Sequence, residues 1–250
     1  MILRFRYSKI SQAAAALTLL AGAGLLNGCR NETVTPNPAE DYYPLPVGTY
    51  RAYAVSDTTW SKGVATASSY QLREGITQQY TDAAGQPAYR ILRARRANGA
   101  AVWVDDSVFV AQVLPQSVTL TRNNVRSVEL IYPLAANKKW HKYSFTTLRD
   151  DSIRAYGPTV GQAFTTPGPA LKTYEATATV RDRWPESSND GLYKRRGTLQ
   201  VFAQGVGPVV RRRYYYETFI AQNNGAQTLT PGVIQVGSSH LEVLIDSGKL

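Results

Sequence analysis

The chain has 250 residues, a formal net charge of +10 and a single cysteine, so an internal disulfide framework is excluded. Its only two histidines, His141 and His240, have no Asp or Glu at metal-ligand spacing; both are expected to face solvent, and neither a metal nor another cofactor is predicted. Tyrosine is plentiful at 16 residues and methionine is nearly absent, which favours β-strands over helices.

The first 28 residues have the layout of a bacterial secretory signal. Three cations, Arg4, Arg6 and Lys9, precede an apolar run that extends from Ala13 to Leu26. A positive segment followed by a short apolar one is typical of a cleaved signal peptide. The run has 14 residues, fewer than the roughly 20 that a helix needs to cross a bilayer, so a transmembrane anchor is not expected.

The end of this segment resembles the lipobox of bacterial lipoproteins. Leu26, Asn27 and Gly28 precede Cys29, with an apolar residue first and a small one directly before the cysteine. Asn27 departs from the small or apolar residue that is usual at its position. The resemblance implies cleavage before Cys29, a diacylglycerol on its sulfur and an acyl chain such as palmitate on its new amine, which together anchor stably. The alternative is an ordinary signal peptide with an incidental cysteine.

Residues 29–41 are predicted to be a lipidated, flexible tether. They are rich in Asn, Thr and Pro and have little apolar surface to bury. Arg30 follows the cysteine, whereas enterobacteria mark inner-membrane retention with an Asp there, so Arg30 resembles an outer-membrane-sorted lipoprotein. We therefore expect an exported protein that is lipid-anchored in the cell envelope, at the outer membrane.

Residues 42–250 are predicted to form a single all-β, antiparallel domain. Asn98-Gly99 and Asn123-Asn124 stand between strand-like segments as turn signals. The predicted strands cover residues 49–55, 88–96, 101–114, 118–121, 125–132, 140–148, 174–183, 193–203, 209–220 and 241–245. About ten or more strands with no convincing long helix indicate a sandwich or an open, strongly curved barrel.

Three segments of this domain have a less regular pattern. Residues 69–80 have helical spacing of apolar positions, but Gly75 and the Thr and Tyr content favour a bulged strand. Long loops are expected at residues 157–170 and 223–232, which are rich in glycine, proline or asparagine.

Two corners of the domain repeat one short pattern. Tyr43-Pro44-Leu45 and Tyr132-Pro133-Leu134 each precede a turn residue and a strand that begins with aromatics. Ordinary turn chemistry explains this, and so does an internal repeat of two related meanders. With the Gly205-Val206-Gly207-Pro208-Val209 turn, these corners resemble β-rich envelope lipoproteins of Gram-negative bacteria whose function is unknown. Some of these share the open barrel of lipoprotein carriers, an analogy of fold that does not establish function.

Carboxylate pairs are the best hydrolase-like features of the sequence. Adjacent residues on a strand point to opposite faces, so neither Asp105-Asp106 nor Asp150-Asp151 can be its own catalytic dyad. The residues that follow them, Ser107 and Ser152, stand in an Asp-Ser-apolar pattern that resembles O-glycosylation sites of some Gram-negative envelopes. We expect no enzymatic activity.

A basic and aromatic run is the strongest candidate for a binding surface. On a strand its alternate residues share a face, so two arginines and a tyrosine lie on one side and one arginine and two tyrosines on the other. The run comprises Arg211, Arg212, Arg213, Tyr214, Tyr215 and Tyr216. Such a surface could dock on anionic lipid, a glycan or a partner protein. The alternative is an ordinary solvated face whose long side chains discourage edge pairing. Nucleic acid is not an expected partner of an exported lipoprotein.

The sequence therefore predicts a non-enzymatic, membrane-anchored envelope lipoprotein whose β domain docks on a partner or on an anionic envelope component. The alternative is a carrier of a lipid or other apolar ligand in a β concavity, and a glycan hydrolase is a distant third. The predicted apolar lining of the carrier consists of Phe109, Val110, Val113, Leu114, Leu130 and Ile131.

Replacing the lipidated cysteine tests the anchor. Without the Cys29 sulfur no diacylglycerol can be attached, so Cys29→Ser should move the protein from the detergent-rich to the aqueous phase of a detergent partition. Mass spectrometry of the N-terminal peptide should find acyl chains in the parent protein and none in the variant. Equal membrane retention of the two proteins would contradict the lipobox.

Overall fold

β-branched and aromatic residues in alternation with polar ones form long antiparallel strands in this protein. The structure is a computed structural model that describes residues 41–146, 153–168, 171–223 and 226–250. The described strands are β1 Thr49–Ser61, β2 Val64–Thr81, β3 Pro87–Arg96, β4 Val104–Leu114, β5 Ser117–Arg122, β6 Val125–Ile131, β7 Lys139–His141, β8 Ile153–Thr165, β9 Thr173–Arg183, β10 Lys194–Ala203, β11 Gly207–Asn223 and β12 Ala226–Lys249. The signal peptide, lipobox and all but the last residue of the tether lie outside the described residues, as do Asp150-Asp151 and Ser152.

All twelve described strands belong to one antiparallel sheet, which confirms the predicted fold class. The strand order is β6-β5-β4-β3-β2-β1-β12-β11-β10-β9-β8-β7. Two six-stranded meanders, β1 to β6 and β7 to β12, are therefore joined side by side through β1 and β12. The sheet curls into a nearly closed barrel, with β6 and β7 as its edges.

Side chains close most of the seam between these edges. Between described residues, one backbone hydrogen bond crosses it, from Val128 N to Lys142 O at 2.8 Å. The Trp140 indole nitrogen donates to Val128 O at 3.1 Å. The Tyr156 hydroxyl donates to Ile131 O at 2.6 Å and accepts from Ile131 N at 3.0 Å. Buried edge groups of the sheet are thereby satisfied without a continuous ladder.

Each meander begins at one of the two corners that repeat in the sequence. Tyr43 and Tyr132 are both buried, and a residue of positive φ follows each corner, Gly48 at 83° and Asn137 at 59°. The strands β1 and β7 start directly afterwards. The equivalent placement favours an internal repeat over coincidence.

The interior of the barrel changes from apolar to charged along its axis. The closed end is filled by a core that includes Tyr43, Ile76, Phe109 and Phe202. Two residues further along each strand, the inward side chains become charged. The pairs that make this step are Ile76 and Glu74, Ile91 and Arg93, Tyr156 and Arg154, and Leu244 and Glu242. The charged layer therefore separates the apolar core from the open end.

Two predicted loops are strands in the structure. Residues 157–165 belong to β8, and residues 226–232 belong to β12, so both loop predictions are wrong at these positions. The pairing of β8 with β9 is interrupted by three register shifts, which accommodate Gly157, Pro158 and Gly161 within a long hairpin. Pairing with neighbouring strands thus overrides the local turn signals.

Other local predictions have mixed outcomes. Residues 69–80 lie in β2, which has a register shift against β3 between Ile76 and Gln78, so the bulged strand is confirmed. Asn123 and Asn124 form the predicted tight turn, both with positive φ. The Asn98-Gly99 connection is longer, because β3 ends at Arg96 and β4 begins at Val104. Residues 142–146 form turns and a bend instead of continuing the predicted 140–148 strand.

The Tyr156 hydroxyl offers a test of the seam. Tyr156→Phe leaves a donor and an acceptor of Ile131 without their partner, so the free energy of unfolding should fall by about 1–3 kcal/mol. Tyr80→Phe, at an exposed position of β2, is the matched control and should change it by less than about 0.5 kcal/mol. Urea denaturation measures both. Equal stabilities for the two variants would show that the seam does not depend on this contact.

Candidate functional site

A belt of paired charges crosses the interior of the barrel, and Arg211 is at its centre. Its guanidinium binds both oxygens of Glu74 at 2.9 Å and reaches Glu242 at 2.7 Å. Arg93 binds Glu74 at 2.5 Å and lies 3.4 Å from Glu242. Because Arg211 and Glu242 are direct neighbours on β11 and β12, strand register supplies one of these pairs. Glu74 joins from β2.

A second group of charges continues the belt near the seam. Arg154 on β8 binds Asp182 at 3.1 Å and Glu129 at 3.0 Å. Lys142 lies 3.2 Å from the other oxygen of Asp182, and Ser127 donates to Glu129 at 2.6 Å. Arg154 also donates to Val128 O at 2.8 Å, so the charge pairs and the seam contacts share residues.

The belt keeps its carboxylates ionised. Burial raises the pKa of Glu129, but the neighbouring Arg154 and Arg122 outweigh it and lower the pKa to about 2. For Glu74 and Glu242 burial acts in the same direction, and Arg211 with Arg93 brings the pKa of each well below its ordinary range. Arginines of the belt are the physical cause in each case.

A cavity of about 500 Å³ opens above the belt. Eight lysine and arginine residues border it against three aspartate and glutamate residues, and Glu74 and Asp182 of the belt, which pair with four of these cations, reduce the excess to three positive charges. The cationic residues are Arg93, Arg95, Arg122, Lys142, Arg154, Arg211, Arg212 and Arg213, and the acidic ones are Asp106, Glu129 and Glu242. Polar neighbours such as Gln200 and Thr198 complete the wall, so the concavity is basic and polar.

Some of the cavity arginines have carboxylate partners, whereas Arg122 and Arg95 lie against aromatic rings without such a partner. Arg93, Arg154 and Arg211 are neutralised by carboxylates of the belt. In contrast, the Arg122 guanidinium lies 4.5 Å from the ring centre of Phe109, and that of Arg95 lies 3.8 Å from Tyr70. Neither forms an ion pair with any described residue. An aromatic face positions a guanidinium but leaves its in-plane N–H donors available.

Arg122 is the most informative of these residues. Burial lowers the pKa of its guanidinium and the nearby positive charge of Arg211 lowers it further, although Glu74 and Glu129 act in the opposite direction. Its Nε is buried without a hydrogen-bond partner. No described residue pairs with its terminal nitrogens. A half-buried guanidinium that forms no ion pair with a described residue, and whose charge Glu74 and Glu129 balance only at longer range, is a candidate ligand-binding group.

The predicted apolar lining of a carrier cavity is wrong. None of the six residues from Phe109 to Ile131 that were expected to form it borders the cavity. Phe109 and Leu130 instead belong to the core of the closed end, and Val113 and Ile131 pack against that core. Alternation along a strand identifies a buried face but cannot distinguish a filled core from a cavity wall.

The basic and aromatic run on β11 divides between the two faces of the sheet. Arg211 and Arg213 face the cavity. Arg212 also borders the cavity, but its guanidinium lies 5.4 Å from the ring centre of Tyr214, which stacks at 5.1 Å on Tyr216. Tyr215 donates to the neighbouring carboxylate Glu217.

Neighbouring glycines make room for these outward rings. A Cβ on Gly197 would lie 2.7 Å from the Tyr214 hydroxyl, and one on Gly237 would lie 2.9 Å from the ring of Tyr216. Trp60 packs edge-on against Tyr216 at 5.3 Å. The outward rings of Trp60 on β1 and of Tyr216 and Tyr214 on β11 therefore form one row, which passes over Gly237 of β12.

His240 belongs to the site, although the sequence indicated a solvent-facing turn residue. It lies on β12 as the strand partner of Asp57 and Arg213. Its ring nitrogens lie 2.5 Å from Asp57 and 3.0 Å from Glu242. The only sequence signal for this role is the two-residue spacing of His240 and Glu242 within a strand.

The remaining candidates have simple surroundings. Asp105 and Asp106 are exposed on β4, and Ser107 donates to Asp106 at 2.9 Å. In the part of the chain that the structure describes, no group of three or more His, Cys, Asp or Glu side chains is arranged to hold a metal. Among those same residues, no helix has the length and apolar character needed to span a membrane.

Comparisons with known proteins give limited similarity. No protein-family model matches the chain, and no curated protein sequence matches it. One similar solved structure, from Bacteroides fragilis, is described as an exported protein with a YMCC-like fold; it is 10% identical, covers 83% of this chain and 99% of its own, and has a TM-score of 0.42. Another, described as a lipoprotein from Parabacteroides distasonis, is 13% identical, covers 83% and 98%, and scores 0.37. The function of this chain therefore rests on its own residues.

The lowered carboxylate pKa values make the belt sensitive to acid. The pKa of Glu129 is lower in the folded chain than its ordinary value of 4.5, so its contribution is present above pH 4.5 and is lost as pH falls towards 2. Moving the pKa this far is equivalent to roughly 3 kcal/mol. Glu129→Gln should lower stability at neutral pH and flatten its decline between pH 4.5 and 2. Urea denaturation across this range measures the slope, and an unchanged slope would contradict the assignment.

Proposed function

We propose that this chain is a non-enzymatic lipoprotein, anchored in the outer membrane, whose barrel binds an anionic ligand between the arginines of its interior. The observation that carries the proposal is Arg122, a half-buried cation that borders the cavity and forms no ion pair with any described residue. An oxyanion would form a direct ion pair with the guanidinium and would accept hydrogen bonds from its N–H groups.

The charge balance of the cavity supports an anion over a neutral or apolar ligand. Eight basic residues border it against three acidic ones, and these include the exposed Arg95 and Arg213, which lack carboxylate partners among the described residues. Phosphate and carboxylate groups match the planar fork of a guanidinium. Anionic lipid headgroups, acidic glycans and acidic segments of a protein partner all carry such groups.

The same electrostatics argue against glycan hydrolysis in this cavity. A glycosidase needs one protonated carboxyl group as its general acid, usually with a raised pKa. Here the pKa values of Glu129 and Glu242 are lowered by adjacent arginines. Carboxylates that stay ionised cannot donate the proton, so their role in the proposal is to hold arginines in place.

The proposed anchor fits a binding role in the envelope. The lipobox ending at Cys29 would tether the protein to a membrane, and residues 29–41 could extend about 40 Å at roughly 3.3 Å per residue. Arg30 favours the outer membrane. A tethered barrel would thus present its basic cavity to anions within about that distance of the bilayer.

Arg122→Met tests the proposal with pyrophosphate as the probe. Loss of the cation should weaken pyrophosphate binding at least about tenfold, which corresponds to one charged hydrogen bond. The variant should stay folded but become less stable, because the cation also helps to keep Glu129 ionised. Isothermal titration at low ionic strength measures binding, and urea denaturation measures stability.

Arg90→Met is the matched control. Arg90 is exposed on β3 and does not border the cavity, so its removal deletes one positive charge without touching the site. It should leave pyrophosphate affinity within about twofold. Equal losses in the two variants would mean that binding reflects only the net charge of the protein, and absence of binding to the parent protein would overturn the proposal.

A further inference from the structure

The arginines without carboxylate partners lie at different depths of the cavity. Arg122 is half-buried, with its guanidinium within 4.5 Å of the centre of the Phe109 ring. Arg95 and Arg213 are exposed at the open end. A single oxyanion could neutralise the deep cation and still leave the outer ones unpaired.

The strand positions separate these residues into an inner and an outer group. Arg122 lies near the belt, since Arg211, Glu74 and Glu129 all act on its charge. Arg213 is one step beyond Arg211 on the inward face of β11, and Arg95 is one step beyond Arg93 on β3. One inward step along a strand is about 6.5 Å. The outer arginines therefore form a second level of positive charge above the first.

The size of the cavity fits an extended ligand. Its volume of about 500 Å³ lies within the range of roughly 300–1,000 Å³ that is typical of sites for small organic ligands. A lone phosphate or carboxylate would occupy only a small part of it. A ligand that fills the space and meets both levels must carry anionic groups along its length.

We infer that the ligand is an elongated polyanion with at least two oxyanion groups, one bound at Arg122 and the others at the outer arginines, Arg95 or Arg213. The inference rests on the proposed anion-binding function and specifies its ligand class. Linking two anionic groups makes the second contact intramolecular, so affinity rises with the number of groups until both levels are occupied. Aromatic faces of Phe109 and Tyr70 hold Arg122 and Arg95 in position for this.

A chain-length series of phosphates tests the two levels in the full-length protein, purified in a neutral detergent. Inorganic phosphate, pyrophosphate and tripolyphosphate differ only in the number of linked groups. The parent protein should bind tripolyphosphate at least about tenfold more tightly than phosphate. Arg122→Met should weaken all three probes. Arg95→Met and Arg213→Met should reduce the advantage of tripolyphosphate while leaving phosphate affinity within about twofold.

The outcomes separate this inference from the proposed function. If phosphate and tripolyphosphate bind equally, or if Arg95→Met and Arg213→Met weaken all probes alike, the ligand needs only one subsite and the inference is overturned while anion binding stands. If no probe binds the parent protein, the proposed function itself falls. Arg90→Met again controls for net charge, and a loss of the tripolyphosphate advantage in this variant would also overturn the inference.

Trigalacturonate, with three carboxylates on a sugar chain, distinguishes the two sources of oxyanions. Tighter binding of trigalacturonate than of tripolyphosphate would support a polycarboxylate, and the reverse would support a polyphosphate. In either case the trimeric probe should bind more tightly than its monomer, galacturonate or phosphate, and this difference in affinity should depend on Arg95 and Arg213. Independence from both arginines would contradict the second level for that class of ligand.

Discussion

Arg211 and the carboxylates around it impose the central constraint on this barrel, because each charge is stable inside only while its partners are present. Taking an ion out of water costs several kcal/mol, and leaving one partner of a buried pair alone typically costs about 3–5 kcal/mol. The belt is therefore stable only when four strands are in place together. They are β11 with Arg211, β2 with Glu74, β12 with Glu242 and β3 with Arg93. The apolar core of the closed end and the open cavity meet at this layer, so the belt fixes where packing ends and solvent access begins.

The belt also explains why the interior can hold arginines that form no direct ion pair. The paired charges form a polar layer at the base of the cavity. The rings of Phe109 and Tyr70 position the guanidinium groups of Arg122 and Arg95, which form no ion pairs with described carboxylates. A barrel with only an apolar core could not keep a half-buried Arg122 charged beside Phe109. The carboxylates thus determine which cations are structural and which remain available to a ligand, and that division is the physical basis of the proposed binding role.

Much of the fold was predictable because it depends on local chemistry. The paired asparagines at 123 and 124 adopt the positive φ values of a tight turn, and the ambiguous segment 69–80 is a bulged strand as its composition suggested. The interior was not predictable in the same way. Arg154 and Asp182 are far apart in sequence, and an arginine in an alternating strand is ordinarily interpreted as solvent-facing. A polar face of the sheet lies in the interior only because the sheet closes into a barrel. The alternation of polar and apolar residues along one strand carries no information about that closure.

The seam of the barrel shares its residues with the cavity wall. Arg154 binds Glu129 and Asp182 in the belt and also donates to Val128, the residue whose amide bonds across the seam to Lys142. Because Arg154 takes part in both, a change in the spacing of β6 and β7 would alter the ion pairs beside the cavity. An anionic ligand that attracted Arg154 would weaken the contacts of Arg154 with Val128, Glu129 and Asp182 as it formed its own. The separation of β6 and β7 at the seam would therefore respond to a ligand that binds in the cavity.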